Sequence, residues 1–191
     1  GKLYSAEKSG VLYATDLASG DYRPIGEAVF GNTRFLFASA ASLFSIEADG
    51  SLYRISPADG TYGRLGKAGD WANTLAGAVL DGKLYSAEKS GVLYATDLAD
   101  GSWRKLGEPL FTDTLFLFAS ADAVFTIDQG GSLYAIETGP ASSSVSSPAS
   151  PASPANPASP AHPVASSPSE KSAAAVAGNL TFAFLGTWKG D

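Results

Sequence analysis

Three observations predict that this chain is an all-β protein built from tandem, short-stranded units. The stretch Gly1 to Gly20, GKLYSAEKSGVLYATDLASG, recurs almost letter for letter as Gly82 to Gly101, GKLYSAEKSGVLYATDLADG. More diverged copies run from Ser42 to Gly60 and from Ala123 to Gly139, which makes Leu3, Leu43, Leu84 and Val124 equivalent. The period is therefore about 40 residues, the range of propeller blades. Within each period, aromatic and aliphatic runs alternate with Gly-containing turns, the pattern of short antiparallel strands. The expectation is a partial β-propeller of about four blades over residues 1–139.

The third unit serves as the template. Thr74 to Leu80, Lys83 to Glu88, Val92 to Asp97 and Ser102 to Leu106 read as its four strands. Hairpin signals are Asp49-Gly50, Asp59-Gly60 and Asp100-Gly101, where glycine supplies the positive φ of a tight turn. Runs such as Arg34-Phe35-Leu36-Phe37-Ala38 and Leu115-Phe116-Leu117-Phe118-Ala119 are apolar on both faces, so both faces must be covered. Blades packed face to face around an axis meet that demand. A stacked solenoid shares the period, but four strands per period argue against it.

Applied along the chain, the template places blades near 1–33, 34–73, 74–114 and 115–139. The first lacks its opening strand and the last its closing one, so the strand count runs three, four, four, three. Open ends of this kind predict either further blades before Gly1 or self-association. The absence of methionine and the start at Gly1 favour a fragment.

Residues 140–175 repeat Ser-Pro-Ala, as in Ser147-Pro148-Ala149-Ser150-Pro151-Ala152, and cannot bury apolar surface. This composition predicts a disordered, extended Pro/Ala/Ser linker. Linkers of this type commonly join modules of envelope or secreted proteins, which favours one of those locations. Residues 176–191 read either as the start of a truncated second domain or as a propeller strand returning after a long loop. Gly186-Thr187-Trp188 resembles the Gly-x-Trp opening of lipocalin-type barrels.

Composition narrows the function. A formal net charge of -6 without a basic cluster repels nucleic acid and anionic lipid. No apolar run approaches the length of a membrane span. There is no cysteine, and the one histidine, His162, lies in the Pro-rich segment, where no scaffold holds it near a nucleophile. The expectation is a non-enzymatic chain with no cofactor and no metal. A calcium site made of carboxylates alone would need about six to eight oxygens gathered in one place.

Two elements recur where chemistry could sit. An acid closes every second strand: Glu7, Glu47, Glu88 and Asp128. The loop leading into each first strand carries an aromatic followed by an amide or acid: Phe30 with Asn32, Trp71 with Asn73, and Phe111 with Asp113. Up-down strand order brings both elements to one face of a propeller. Aromatic rings stack on the apolar face of a pyranose while amides and carboxylates take its hydroxyls. The same residues could instead wedge blades together and satisfy turn N–H groups.

The segment Tyr94 to Trp103, YATDLADGSW, resembles the Asp-x-x-x-Gly-x-Trp docking pattern of quinoprotein (PQQ-like) propellers, with Tyr22 and Tyr62 replacing the tryptophan elsewhere. The loops Phe30-Gly31-Asn32-Thr33, Trp71-Ala72-Asn73-Thr74 and Phe111-Thr112-Asp113-Thr114, each leading into a strand such as Phe35-Leu36-Phe37, resemble the repeat of tachylectin-2 and tectonin-type lectin propellers. That likeness covers most of residues 1–139 and implies simple-sugar binding between neighbouring blades. The expected function is thus a carbohydrate-binding recognition module. The alternatives are a protein–protein interaction scaffold and an accessory propeller of an enzyme whose catalytic domain lies beyond the C-terminus.

Overall fold

The computed structural model describes residues 1–39, 41–120, 122–137 and 182–187. The strands are β1 (Lys2–Ala6), β2 (Leu12–Asp16), β3 (Tyr22–Ile25), β4 (Thr33–Ser39), β5 (Ser42–Glu47), β6 (Leu52–Ile55), β7 (Tyr62–Leu65) and β8 (Thr74–Leu80). They continue as β9 (Lys83–Glu88), β10 (Leu93–Asp97), β11 (Trp103–Leu106), β12 (Thr114–Ser120), β13 (Ala123–Asp128), β14 (Ser132–Glu137) and β15 (Phe182–Thr187). Every neighbouring pair is antiparallel and follows chain order: β1-β2-β3, β4-β5-β6-β7, β8-β9-β10-β11 and β12-β13-β14-β15. The fold is an all-β, propeller-like succession of four blades. No helix among the described residues is long and apolar enough to cross a membrane.

The hairpins form where the sequence places Asp-Gly. Asp49 accepts a hydrogen bond from the Ser51 N–H (2.9 Å), Asp59 from the Thr61 N–H (3.1 Å) and Asp100 from the Ser102 N–H (2.8 Å). The intervening Gly50, Gly60 and Gly101 have φ of 79°, 77° and 80°, a conformation in which a Cβ would clash with the local backbone.

The last blade has a fourth strand beyond the three counted within residues 115–139, in keeping with the returning-strand reading of the C-terminal segment. Phe182–Thr187 lies along β14 in the register Ile136↔Phe182, Ala135↔Ala183 and Tyr134↔Phe184. This reproduces the pairing Thr96↔Trp103, Ala95↔Arg104 and Tyr94↔Lys105 of the third blade. The physical basis is visible in retrospect. Phe182-Ala183-Phe184-Leu185-Gly186 repeats the aromatic-x-x-Leu/Ile-Gly pattern of Tyr22 to Gly26, Tyr62 to Gly66 and Trp103 to Gly107. The Pro/Ala/Ser segment 140–175 lies outside the described residues.

Each pair of consecutive blades shares one apolar core. Leu12, Ala14 and Ile25 of the first blade meet Leu43 and Ile55 of the second, with Phe30 between them. Phe44, Ile46 and Leu52 of the second blade meet Leu84 and Leu98 of the third, with Trp71 between them. Ala76, Ala78 and Tyr85 of the third blade meet Leu117, Val124 and Ile136 of the fourth, together with Phe111. Arginines add polar clamps across the same seams. Arg34 sits at a repeated β-bulge in the innermost strand and donates to the carbonyls of Ala72 (3.1 Å) and Thr74 (2.7 Å) in the next blade. Arg54 likewise donates to the carbonyls of Leu98 and Ala99.

Candidate functional site

Two clefts open at equivalent places between blades. The first, of about 370 Å³, lies between blades one and two and is lined by Val29, Phe30, Asn32, Glu47, Tyr53 and Tyr62 among others. The second, of about 420 Å³, lies between blades two and three and is lined by Asp70, Trp71, Asn73, Glu88, Tyr94 and Trp103 among others. The up-down strand order produces this coincidence. It brings the loop entering an innermost strand beside the turn that ends the second strand, so one loop residue set and one carboxylate face each cleft.

The structure thus brings Phe30, Asn32 and Glu47 together, and separately Trp71, Asn73 and Glu88. At the third seam the Asp113 carbonyl accepts a hydrogen bond from the Gln129 N–H (2.8 Å), while Asp128 accepts one from the Ser132 N–H (2.8 Å) and so serves its own turn. Glu7 follows β1 and accepts a long hydrogen bond from the Ser9 hydroxyl (3.5 Å); no preceding loop faces it among the described residues.

The loop aromatics occupy a different position from the one the sugar-stacking expectation requires. Phe30, Trp71 and Phe111 are each only 3% exposed. The Trp71 ring lies against Gly66, where an added Cβ would stand 2.6 Å from the ring. All three backbone N–H groups donate to turn carbonyls: Phe30 to Gly10 (2.9 Å), Trp71 to Gly50 (3.0 Å) and Phe111 to Gly91 (2.9 Å). They are wedges between blades, and the rings left free to stack on a ligand are others. Trp103 is 52% exposed and packs edge-on against Tyr94 of its own blade, with centroids 5.3 Å apart. Tyr62 repeats the arrangement with Tyr53 at 5.6 Å. The sequence flagged Trp103 and Tyr62 only as docking residues. Their alternation with the inward-facing Leu106 and Leu65 on the outermost strands was the signal that they face outward.

The carboxylates are held on one side. The Thr74 hydroxyl donates to Glu88 Oε1 (2.7 Å), and Thr33 donates to Glu47 Oε1 (2.8 Å). Glu88 is buried, and that burial raises its pKa above the ordinary 4.5, against the opposing effects of the Thr74 hydrogen bond, Arg34 and Lys89. A folded-state pKa above the unfolded one contributes stability that is full below about 4.5 and is lost as pH rises through the raised value. The Glu88→Gln variant should therefore gain stability relative to the parent as pH rises from below 4.5 into the neutral range. Urea midpoints of both proteins at two pH values check this, and a pH-independent difference would contradict it.

Among the described residues, no group of three or more His, Asp or Glu is placed to hold a metal ion.

Comparison with known proteins gives the fold its context. No protein-family model matches the chain, and no curated protein matches it. Among solved structures, it is similar to PorZ, described as an essential bacterial surface component of the type-IX secretion system of Porphyromonas gingivalis. The identity is 15% and the TM-score 0.52, over 70% of this chain and 19% of that one. It is also similar to the computationally designed Ika8 protein, at 16% identity and TM-score 0.51 over 70% of this chain and 42% of that one. For the computationally designed Ika4 protein the values are 16% and 0.51, over 69% of this chain and 82% of that one. The chain thus spans about a fifth of the PorZ chain. At such identities the likeness establishes a propeller-like fold and nothing finer.

Proposed function

We propose that the chain is a non-enzymatic recognition module that binds carbohydrate in the clefts between consecutive blades. The observation carrying this reading is the recurrence of one arrangement: an exposed aromatic on the outermost strand, an Asn in the entering loop and a Glu at the end of the second strand, around 370–420 Å³ of open volume. Clefts of that size suit a monosaccharide or the end of a glycan. The half-exposed ring of Trp103 offers a stacking face, while Asn73 and Glu88 offer hydrogen-bonding groups beside it.

Binding of simple sugars to the full chain, followed through Trp fluorescence or calorimetry, tests the reading. Trp103→Ala should weaken binding at least tenfold while the β-sheet circular dichroism spectrum is retained, because the ring is half exposed and outside the blade cores. Full binding by that variant would remove the stacking role, and no sugar binding by the parent would sink the proposal. The same reading predicts no hydrolase or oxidoreductase turnover, since the two clefts contain neither histidine nor cysteine. Reproducible turnover that survives mutation of His162 would count against it.

A second reading, protein recognition, rests on a separate observation. Phe116 and Phe118 are 61% and 41% exposed on the outer face of the fourth blade. Residues at those positions in the second blade, Phe35 and Phe37, pack against the core shared by the second and third blades. We propose that this face serves self-association of the chain.

A further inference from the structure

We propose, building on the recognition reading above, that the cleft between blades two and three is the chain's principal saccharide site. The hydroxyls of Ser86 and Thr96 in its wall select a neutral polyhydroxylated ring. Both residues line this cleft and are fully buried, and neither hydroxyl has a hydrogen-bond partner among the described residues. Ser86 pairs with Tyr94 and Thr96 with Leu84, which sets the two hydroxyl-bearing residues on one face of adjacent strands, beside Glu88. A buried hydroxyl without a partner is costly, so a ligand group that satisfies it is bound with a corresponding preference.

The Ser86 hydroxyl is unpaired for an identifiable reason. In the fourth blade, Thr114 and Thr126 bond one another at 3.3 Å. In the third blade the residue equivalent to Thr114 is Thr74, which gives its proton to the longer side chain of Glu88 and leaves Ser86, the counterpart of Thr126, without a partner. The glutamate thereby keeps a hydrogen-bonding group free in the wall of the cleft.

The surroundings define the ligand class. The lining carries the carboxylates of Asp70 and Glu88 against Lys89, and Arg34, outside the lining, offsets Glu88 electrostatically. Neither an acidic nor an amino sugar gains a net attraction. A hydroxyl both donates and accepts, as do Ser86, Thr96 and every hydroxyl of a neutral sugar.

In the second blade Ser45, the counterpart of Ser86, is likewise buried without a partner but does not line the first cleft, so the distinguishing group is Thr96. Ile55 stands where the third blade has Thr96, and Val29 where it has Asp70. Thr96 and Ile55 hold the same register, Thr96 against Leu84 and Ile55 against Leu43. Ile136 fills the corresponding place in the fourth blade, opposite Val124. The repeats therefore show that an isoleucine fits the fold at this position, which makes Thr96→Ile an informative substitution.

The test is calorimetric titration of the full chain with glucose, galactose and mannose, set against glucosamine and glucuronate. A neutral hexose should bind at one dominant site per chain. Thr96→Ile should weaken that binding about tenfold or more, the usual cost of one lost ligand hydrogen bond, with an unchanged circular dichroism spectrum. Should the isoleucine crowd the cleft, Thr96→Val gives the same readout with matched volume. Undiminished hexose binding by both Thr96 variants would overturn the inference and leave the recognition reading intact. Tighter binding of glucosamine or glucuronate would overturn the neutral selection. No binding of any of the five sugars would remove both.

Discussion

Replacing Trp71 with alanine is expected to destabilise the protein by about 3–5 kcal/mol, the range for truncating a buried large aromatic. The ring is 3% exposed and sits in the core shared by blades two and three, with Phe44, Ile46, Leu52, Leu84 and Leu98. Removing it leaves a cavity that the sheets cannot close, because the Trp71 N–H bond to Gly50 and the packing of Gly50 on Ala72 hold the loop backbone in place. Against a usual total stability of about 5–15 kcal/mol, that loss is large. Urea denaturation should show a strongly lowered midpoint for Trp71→Ala. For Trp103→Ala, with its half-exposed ring, the shift should be smaller. An unchanged midpoint for Trp71→Ala would show that the loop does not wedge the blades and would return Trp71 to the role of a ligand platform.

That contrast explains how much of this protein its sequence disclosed. Blade boundaries were legible because Leu3, Leu43, Leu84 and Val124 repeat at near-constant spacing and each strand is bracketed by turn residues. The cleft carboxylates were legible for the same reason. For the loop aromatics the sequence left two readings open, a ligand platform and a wedge between blades. In a repeat array, a residue in a connecting loop is covered by the following unit, and recurrence alone does not separate a covered ring from an open one. Phe30, Trp71 and Phe111 recur because every seam needs a wedge. The free hydroxyls of Ser86 and Thr96 were not legible at all. Whether Ser86 is paired depends on which way Thr74 donates, a matter of geometry and not of residue type. The fourth strand of the last blade was one of two readings open for residues 176–191; the long Ser-Pro-Ala repeat between Phe182 and β14 kept the other open, although the aromatic-x-x-Leu-Gly pattern matches the other outermost strands.

The full chain is expected to associate head to tail through the outer face of the fourth blade and the facing side of the first. Phe37 of the second blade rests on Gly77 of the third, where an added Cβ would stand 2.8 Å from the ring. The fourth blade presents the same pattern with no cover among the described residues: Phe116 is 61% and Phe118 41% exposed, and Phe118 stacks on Phe125 with centroids 5.3 Å apart. At the other end Leu3 is 56% exposed, whereas its counterparts Leu43 and Leu84, each covered by a preceding blade, are 1% and 0% exposed. The second edge of β1 has no partner strand among the described residues, and open edges favour pairing with another chain. One face thus carries the rings that a blade packs forward, and the other the leucine that a blade packs backward. A contact of this kind is heterologous and propagates from copy to copy until it closes. Each large side chain buried in it contributes about 1.5–3 kcal/mol. Sedimentation velocity over a range of concentrations should show species larger than a monomer, and the Phe116→Ser/Phe118→Ser double variant should shift the distribution to monomer without loss of β-sheet signal. A parent chain that stays monomeric at the highest concentration would overturn this expectation. Association unaffected by the double variant would place the contact on another surface.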